Sequence, residues 1–384
     1  MKKRILGISG AISFVLFLIL LFVIRHLSGV QLSQQMAERW SKGGGASQVS
    51  CFFSVDAEID LDQIQSFEHS IDSKLAEASV VQESENPGAR LWVDAYSAYG
   101  SVYISSDRGS LQTNAIGIGG DFFLFHPLTL VSGSYFSGND LMQDYCVIDR
   151  EVAWQLFGAS DVAGMMVYIG NIPHMVIGVV ERPEGRLAKA AGLDGTLVYV
   201  SYKTLTELGR NNGIHQESDQ NGIINHYEIV MPNPITGFAE SVVREGFGSD
   251  PKTVEVVENT TRYSLLSRLK LFLQFGLRSM NGKAIIYPYW ENIARGYEDI
   301  LTLLTFFEML FLVYALAIAL GLFISWWRHK GWTVKGKIRL LWDKLERLKE
   351  KLYAKRQAAK SSRQESSGSR PAKAGKASKK EKKR

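Results

Sequence analysis

The residues that could do chemistry are concentrated in Gly117–Gly164, which reads "GIGGDFFLFHPLTLVSGSYFSGNDLMQDYCVIDREVAWQLFGASDVAG". It holds close-set glycines, Asp121, His126, Asp140, Cys146 and Asp149. Phosphate cradling needs a strand before the glycines and a helix after them, with backbone N–H groups turned to the anion. "GIGG" runs instead into "DFFLF", and no G-x-x-x-x-G-K-[ST] occurs in the chain, so no Walker-type nucleotide site is expected. The seven histidines are scattered, and none stands at zinc-ligand spacing from another His or a Cys. His126 and His174 each adjoin a proline and an apolar residue, which fits structural or surface roles. A G-x-S-x-G nucleophile elbow is missing too. The expectation is a protein with no catalytic residue, no cofactor and no metal site. Cys51 and Cys146 are the only cysteines. Two readings stay open for them: a disulfide, or two buried free thiols in strands, which a domain of this size accommodates without a staple.

What must position such residues is bounded by two apolar blocks. "ILGISGAISFVLFLILLFVI", Ile5–Ile24, carries no charge and is long enough to span a bilayer core. Its apolar run exceeds the core of a signal peptide and no A-x-A-like site follows, so an uncleaved anchor is expected. "MLFLVYALAIALGLFISWW", Met309–Trp327, ends in Trp326 and Trp327 and is followed by Arg328, His329 and Lys330, an aromatic belt and a positive-inside signal. Lys2, Lys3 and Arg4 precede the first block. Both termini are therefore expected in the cytoplasm of a bacterial plasma-membrane protein, with the main domain outside. Glu308 is expected near the outer interface.

The net charge of +5 is polarised. Lys351–Arg384 holds 13 Lys/Arg against Glu365 and Glu381, a net of +11, which leaves −6 for the rest. An acidic body argues against nucleic-acid binding, and a basic tail suits an anionic leaflet.

Between the blocks the pattern is α+β. Val49, Cys51, Phe53 and Val55 alternate as on a half-buried strand. Ile64, Phe67, Ile71 and Leu75 make one helix face, with Asp60 or Asp62 as its cap. "RLWVDAYS" and "GSVYISS" follow as strands, and "HYEIVMP", "ITGFAESVVREGFG" and "KTVEVVENT" repeat the strand–helix–strand order later. The expected fold is an extracytoplasmic domain of two strand–helix–strand, porter-like halves with a β-rich insertion, flanked by two transmembrane helices. The expected boundaries are an N-terminal membrane helix over 1–26 and an outer domain over 27–299. Within it the halves cover about 46–110 and 222–262, the insertion about 111–205, and stalk helices 263–299. A second membrane helix over 300–328 follows, with Arg295, Glu298 and Asp299 keeping the approach to it in water. Past it, Val334, Ile338, Leu341, Leu345, Leu348 and Leu352 form an a/d stripe on a charged helix over 331–358. Trp332, Trp342 and Tyr353 stand beside this surface for a membrane or a protein partner. The tail 359–384 lacks apolar residues and is expected to be disordered.

The opening stretch resembles the extracytoplasmic core of ABC-transporter permeases of the macrolide-exporter (MacB) type, the group that includes lipoprotein-release and FtsX-like permeases. The resemblance rests on Asp121-Phe122-Phe123, Leu130 to Phe136, Asp140, Val147-Ile148, Ala153 to Gly158, Asp161 to Gly164 and Ile177-Gly178-Val179, with "GTLVYVSYKTL" as the closing strand. Gly133, Gly158 and Gly164 fit turns of positive φ, and Leu156 and Phe157 fit anchors of a short helix on a sheet. Family members typically carry three spans after the outer domain, and this sequence carries one, a reduced form with two membrane spans. The resemblance implies a permease-like subunit that relays conformational change from a separate cytoplasmic ABC ATPase to the outer domain. Its implied partners are membrane lipid, that ATPase, and another permease-like subunit or a second copy, with the stripe from Val334 to Leu352 as the coupling helix. The alternative is a bitopic scaffold or sensor that binds an envelope partner without energy coupling.

Overall fold

The computed structural model describes residues 2–41, 44–80, 89–211, 222–248, 250–274, 285–329 and 334–367. Its contacts divide the chain into two units, Ile12–Val313 and a smaller one made of Met1–Ala11 with Tyr314–Arg384.

Chain order begins with α1 (Lys2–Val30), α2 (Met36–Trp40), β1 (Ala46–Phe53), α3 (Leu61–Glu77), β2 (Val93–Ser105) and β3 (Ser110–Gly120). Then come α4 (Phe122–Phe125), β4 (Thr129–Gly133), β5 (Tyr145–Asp149), α5 (Arg150–Phe157), β6 (Met166–Ile169), β7 (Ile172–Glu181), α6 (Arg186–Ala190), β8 (Leu197–Ser201) and α7 (Tyr202–Asn211). The chain continues through β9 (Ile224–Pro232), α8 (Phe238–Phe247), β10 (Val254–Glu258), α9 (Leu265–Leu273), α10 (Tyr289–His329) and α11 (Val334–Ser367).

The ten strands form one sheet in the order β10-β1-β9-β2-β3-β8-β5-β7-β4, with β6 paired to β2 and β7. The first four positions explain how the two strand–helix–strand units combine. β1 is antiparallel to both β9 and β10, and β9 is antiparallel to β2, so each unit places a strand between those of the other. That interleaving is a split βαβ arrangement. The long β2–β3 hairpin leads into the inserted strands, which join through the parallel β3–β8 and β5–β7 pairs.

Helix α3 forms where the apolar period predicts it. Ile64, Phe67, Ile71 and Leu75 are buried, and Asp60 with Gln63 makes a full capping box. They meet Val49, Cys51 and Phe53 of β1, Tyr227, Ile229 and Met231 of β9, and Val242 and Val243 of α8. Burial of each such side chain stabilises by about 1.5–3 kcal/mol.

The strand β1 departs from the half-buried expectation. Every residue from Ser47 to Phe53 is buried. The opposite face of the sheet is covered as well, by Met36 and Ala37 of α2, Phe122, Phe123 and Phe125 of α4, and Tyr289 and Trp290 of α10. Gln48 and Ser50 are thereby enclosed along with the apolar residues.

In the insertion, Val152, Ala153 and Leu156 of α5 pack on β5, β7 and β8. Asp149 caps α5 through the Val152 N–H at 2.7 Å and accepts from Leu197 N–H at 2.7 Å, which ties the helix start to β8. Leu156 is fully buried, whereas Phe157 is only partly so. Leu156→Ala should therefore cost about 2–5 kcal/mol, read as a lowered midpoint of thermal or urea unfolding, and Phe157→Ala should cost less. The turn after β4 needs its glycine: Gly133 has φ 76°, and a Cβ there would lie 2.1 Å from the Ile177 carbonyl oxygen.

Two helices, Lys3–Val30 and Tyr289–His329, are long and apolar enough to cross a membrane. In the smaller unit Gly10 lets α1 approach α10, since a Cβ would sit 2.9 Å from Ile318 Cγ2, and Lys3 Nζ donates to Ser325 Oγ at 2.8 Å. In the larger unit Ser13 Oγ donates to the Phe311 carbonyl at 2.9 Å. The Glu308 side chain is buried in the protein. Helix α11 runs to Ser367, past the expected start of disorder at 359. "AAKSSRQESS" lacks the glycine and proline that break helices, and these first appear at Gly368 and Pro371.

Candidate functional site

The alternation that sends Val49, Cys51, Tyr227 and Ile229 to α3 and α8 sends Gln48, Ser50, His226 and Glu228 to the other face. Ser50 stands opposite Glu228 across the β1–β9 pair. Glu228 Oε1 accepts from Gln48 Nε2 at 2.7 Å, Ser50 Oγ at 2.6 Å and Asn259 Nδ2 at 3.2 Å. Gln48 also reaches out of the sheet. Its Nε2 donates to the Ser33 carbonyl at 2.6 Å and its Oε1 accepts from Met36 N–H at 2.7 Å. The chain leaving α1 is thus held to the sheet by a buried amide.

Beside this lies an ionic node. Arg262, just past β10, grips Glu291 of α10 with both terminal nitrogens, Nη1 to Oε2 at 2.6 Å and Nη2 to Oε1 at 2.8 Å. Its Nε donates to Glu298 Oε1 at 2.6 Å, and Nη1 also reaches Gln34 Oε1, in the turn after α1, at 3.0 Å. Arg295 completes the node, with Nε 2.6 Å from Glu291 Oε1 and Nη2 2.7 Å from Glu255 Oε1 on β10. Burial alone would lower the Arg262 pKa, but the carboxylates of Glu291 and Glu298 outweigh it and hold it well above the ordinary value. The same helix start is stitched to the sheet by Tyr289, whose hydroxyl lies 3.0 Å from that of Tyr199 on β8 and whose N–H donates to Tyr99 Oη on β2 at 3.2 Å. The expectation that Arg295 and Glu298 keep early α10 in water is corrected. Both side chains turn into the protein to meet Arg262 and Glu255, and only Asp299 is exposed. The node therefore joins the exit of α1, the end of β10 and the first turns of α10 in one charge-assisted network, the stronger kind of hydrogen bond.

Next to Glu228 two imidazoles converge. His126, directly after α4, places Nε2 3.0 Å from Glu228 Oε2, and His226 places Nε2 3.7 Å away. Neither approach has hydrogen-bond geometry, and His126 Nδ1 and Nε2, His226 Nε2 and Glu228 Oε2 are buried without hydrogen-bond partners. Trp290 closes the group, its ring 4.2 Å from that of His126. Burial pushes His226 down to about 4, with Glu228 opposing. Burial alone would raise Glu228, but the imidazoles of His126 and His226 and the Ser50 hydroxyl hold it at about 2. In the sequence no histidine stands at zinc-ligand spacing from another His or a Cys, and the fold brings His126 and His226 together by setting strand β9 against the turn after α4. The available signal was "HYE", which puts His226 and Glu228 on one face of an otherwise apolar strand.

The residues singled out from sequence lie elsewhere. Ile338, Leu341, Leu345, Leu348 and Leu352 are 54–63% exposed on α11, and the neighbouring Trp342 and Tyr353 are exposed too; the side chain of Val334 and all of Trp332 lie outside the described residues. The stripe is thus uncovered in the single chain. Cys51 and Cys146 are both free and buried. They occupy different cores, Cys51 against α3 and Cys146 against α5, so the disulfide reading is corrected. Burial raises both thiols, Cys51 well above the ordinary value despite Arg244.

The family described as MacB-like periplasmic core domain matches residues 8–230. Among relatives, the macrolide export ATP-binding/permease protein MacB of Shewanella sp. (strain W3-18-1) is 35% identical over 121 residues, which is 30% of this chain and 18% of that protein. Its counterpart in Pasteurella multocida (strain Pm70) is 33% identical over 76 residues, 19% of this chain and 12% of that protein. The matches thus span less than a fifth of those relatives. Among solved structures, the extracellular domain of the noncanonic ABC-type transporter YknZ from Gram-positive bacteria is 16% identical, with 55% of this chain and 99% of that one covered at a TM-score of 0.34. The periplasmic region of MacB from Actinobacillus actinomycetemcomitans is 17% identical, with 59% and 94% covered at a TM-score of 0.35.

Proposed function

Because the chain belongs to the MacB-like periplasmic core domain family, we propose that it is a permease-type subunit of an ABC transporter complex, relaying conformational change from a separate cytoplasmic ATPase to its outer domain. The observation that supports this reading most is the Arg262 node. A relay needs its membrane helices rigidly joined to the part that moves, because packed elements shift as bodies rather than deform continuously. Arg262, Glu291 and Gln34 make that joint on the exits of both apolar helices. The exposed stripe on α11 is the surface on which the ATPase would dock.

In this reading residues 27–299 lie outside the cell, both termini lie inside, and the basic tail holds the cytoplasmic segment to anionic lipid. Cysteines introduced at Ser110 and Ser367 test the orientation. Ser110 should react with a membrane-impermeant maleimide in intact cells and Ser367 only after lysis, and labelling of Ser367 from outside would reverse the topology. The functional reading itself is tested by isolating the full-length chain from its native membrane. An ABC ATPase should co-isolate at constant ratio through gel filtration. Isolation without any such ATPase would favour an envelope scaffold that works without energy coupling.

A further inference from the structure

We propose that His126, His226 and Glu228 form a binding site for a divalent transition-metal ion, with zinc the best match to the donor set. The three residues form a group whose ligand atoms all lie within 4.8 Å of one another. Two imidazole nitrogens and one carboxylate oxygen are a zinc donor set, with zinc–ligand bonds of about 2.0–2.2 Å. Donors around one such ion stand roughly 3–3.5 Å apart by that geometry. The observed 3.0 Å from Glu228 Oε2 to His126 Nε2 falls at the lower end of that range and the 3.7 Å to His226 Nε2 just beyond its upper end, so a small side-chain adjustment would seat the ion.

Three further observations separate a metal site from an ordinary buried ion pair. First, the converging atoms are the ones left without hydrogen bonds: His126 Nε2, His226 Nε2 and Glu228 Oε2. Buried polar atoms are nearly always satisfied, so several orphans facing one point call for a common partner. Second, outer contacts orient two of the three ligands, Glu228 and His226, as metal sites require, while His126 Nδ1 has no hydrogen-bond partner. Glu228 Oε1 is fixed by Gln48, Ser50 and Asn259, which leaves Oε2 as the inward atom. His226 Nδ1 lies 3.4 Å from Ser97 Oγ; a proton on that nitrogen leaves the Nε2 lone pair for the ion. Third, a cavity of about 340 Å³, lined in part by His126, Pro127, Leu128, Leu187, Tyr289 and Trp290, adjoins the group, and water from that side would supply the fourth ligand. An ion here would clamp β9 to the turn after α4, under the first turn of α10. The role is structural and distinct from the Arg262 joint.

The test uses the full-length protein in detergent. After stripping with a chelator and reloading with Zn(II), elemental analysis of the gel-filtered protein should give about one zinc per chain. Zn(II) should raise the melting temperature of stripped wild-type protein by several degrees while Mg(II) does not, and Co(II) should give the visible d–d absorption of an N/O-ligated tetrahedral site. His126→Gln should weaken zinc binding by more than the roughly 10–100-fold typical of losing an outer-shell partner. The Zn(II) and Co(II) measurements on wild-type protein stand even where that variant fails to fold. Stripped, folded protein that takes up no zinc, or uptake that is unchanged in folded His126→Gln, overturns the proposal and leaves the cluster a buried ion pair only.

Discussion

Arg262→Met is expected to destabilise the folded protein by about 3–5 kcal/mol, because removing one partner of a buried ionic pair strands the others. Arg262 is nearly inaccessible and is the partner of both Glu291 and Glu298. Methionine matches its length and apolar stem, so lost packing is a small part of the effect. Glu291 would keep Arg295 as a neighbour, which limits the loss. For a body of this size each kcal/mol moves the melting temperature by about 2–4 °C, so the shift should be roughly 6–20 °C, read by thermal unfolding in detergent. Neutralising the stranded charge should recover part of it, and Arg262→Met with Glu291→Gln should melt above the single variant. A single variant that melts like the parent would mean that the node is solvated and ties nothing together.

The second large effect concerns the cytoplasmic helix. Leu341 and Leu345 are exposed on α11, and docking would bury each for about 1.5–3 kcal/mol. Replacing both with glutamate removes about 3–6 kcal/mol of contact, a loss of roughly 10²–10⁴ in affinity for the ATPase. Charges outside the stripe are mixed, with Lys337, Arg339, Lys344 and Arg347 against Asp343 and Glu346. A helix that serves only anionic lipid would be more uniformly basic. The double variant should therefore lose the co-isolated ATPase and remain an integral membrane protein. Unchanged recovery of the ATPase would remove α11 as the docking element.

What could be read from sequence was what is local. The α3 face at Ile64, Phe67, Ile71 and Leu75 repeats with the helical period, and the capping Asp60 stands just before it. The two apolar spans and the Ala153–Gly158 helix with its αL glycine were legible for the same reason. What failed was non-local. Alternation in β1 was read as one buried face, because nothing in "QVSCFFSV" says that α2, α4 and α10 will cover the other. Glu291 and Arg295 resemble surface charges until Arg262 and Glu255 arrive from the end of the sheet. His126 and His226 lie far apart in sequence, and only the placement of β9 beside β1 and β2 makes them neighbours.

The central claim is that events at a cytoplasmic ATPase reach the outer domain through the joint between sheet and helices. Hydrogen exchange on the intact complex, with and without ATP and a trapping agent such as vanadate, tests it most directly. The account predicts that ATP changes amide protection in the end of β10, in Asn259–Arg262 and in the first turns of α10. The change should vanish in the Leu341→Glu, Leu345→Glu variant, whose outer domain remains folded. Identical exchange across the outer domain in both states, with the ATPase bound and trapped, would contradict it.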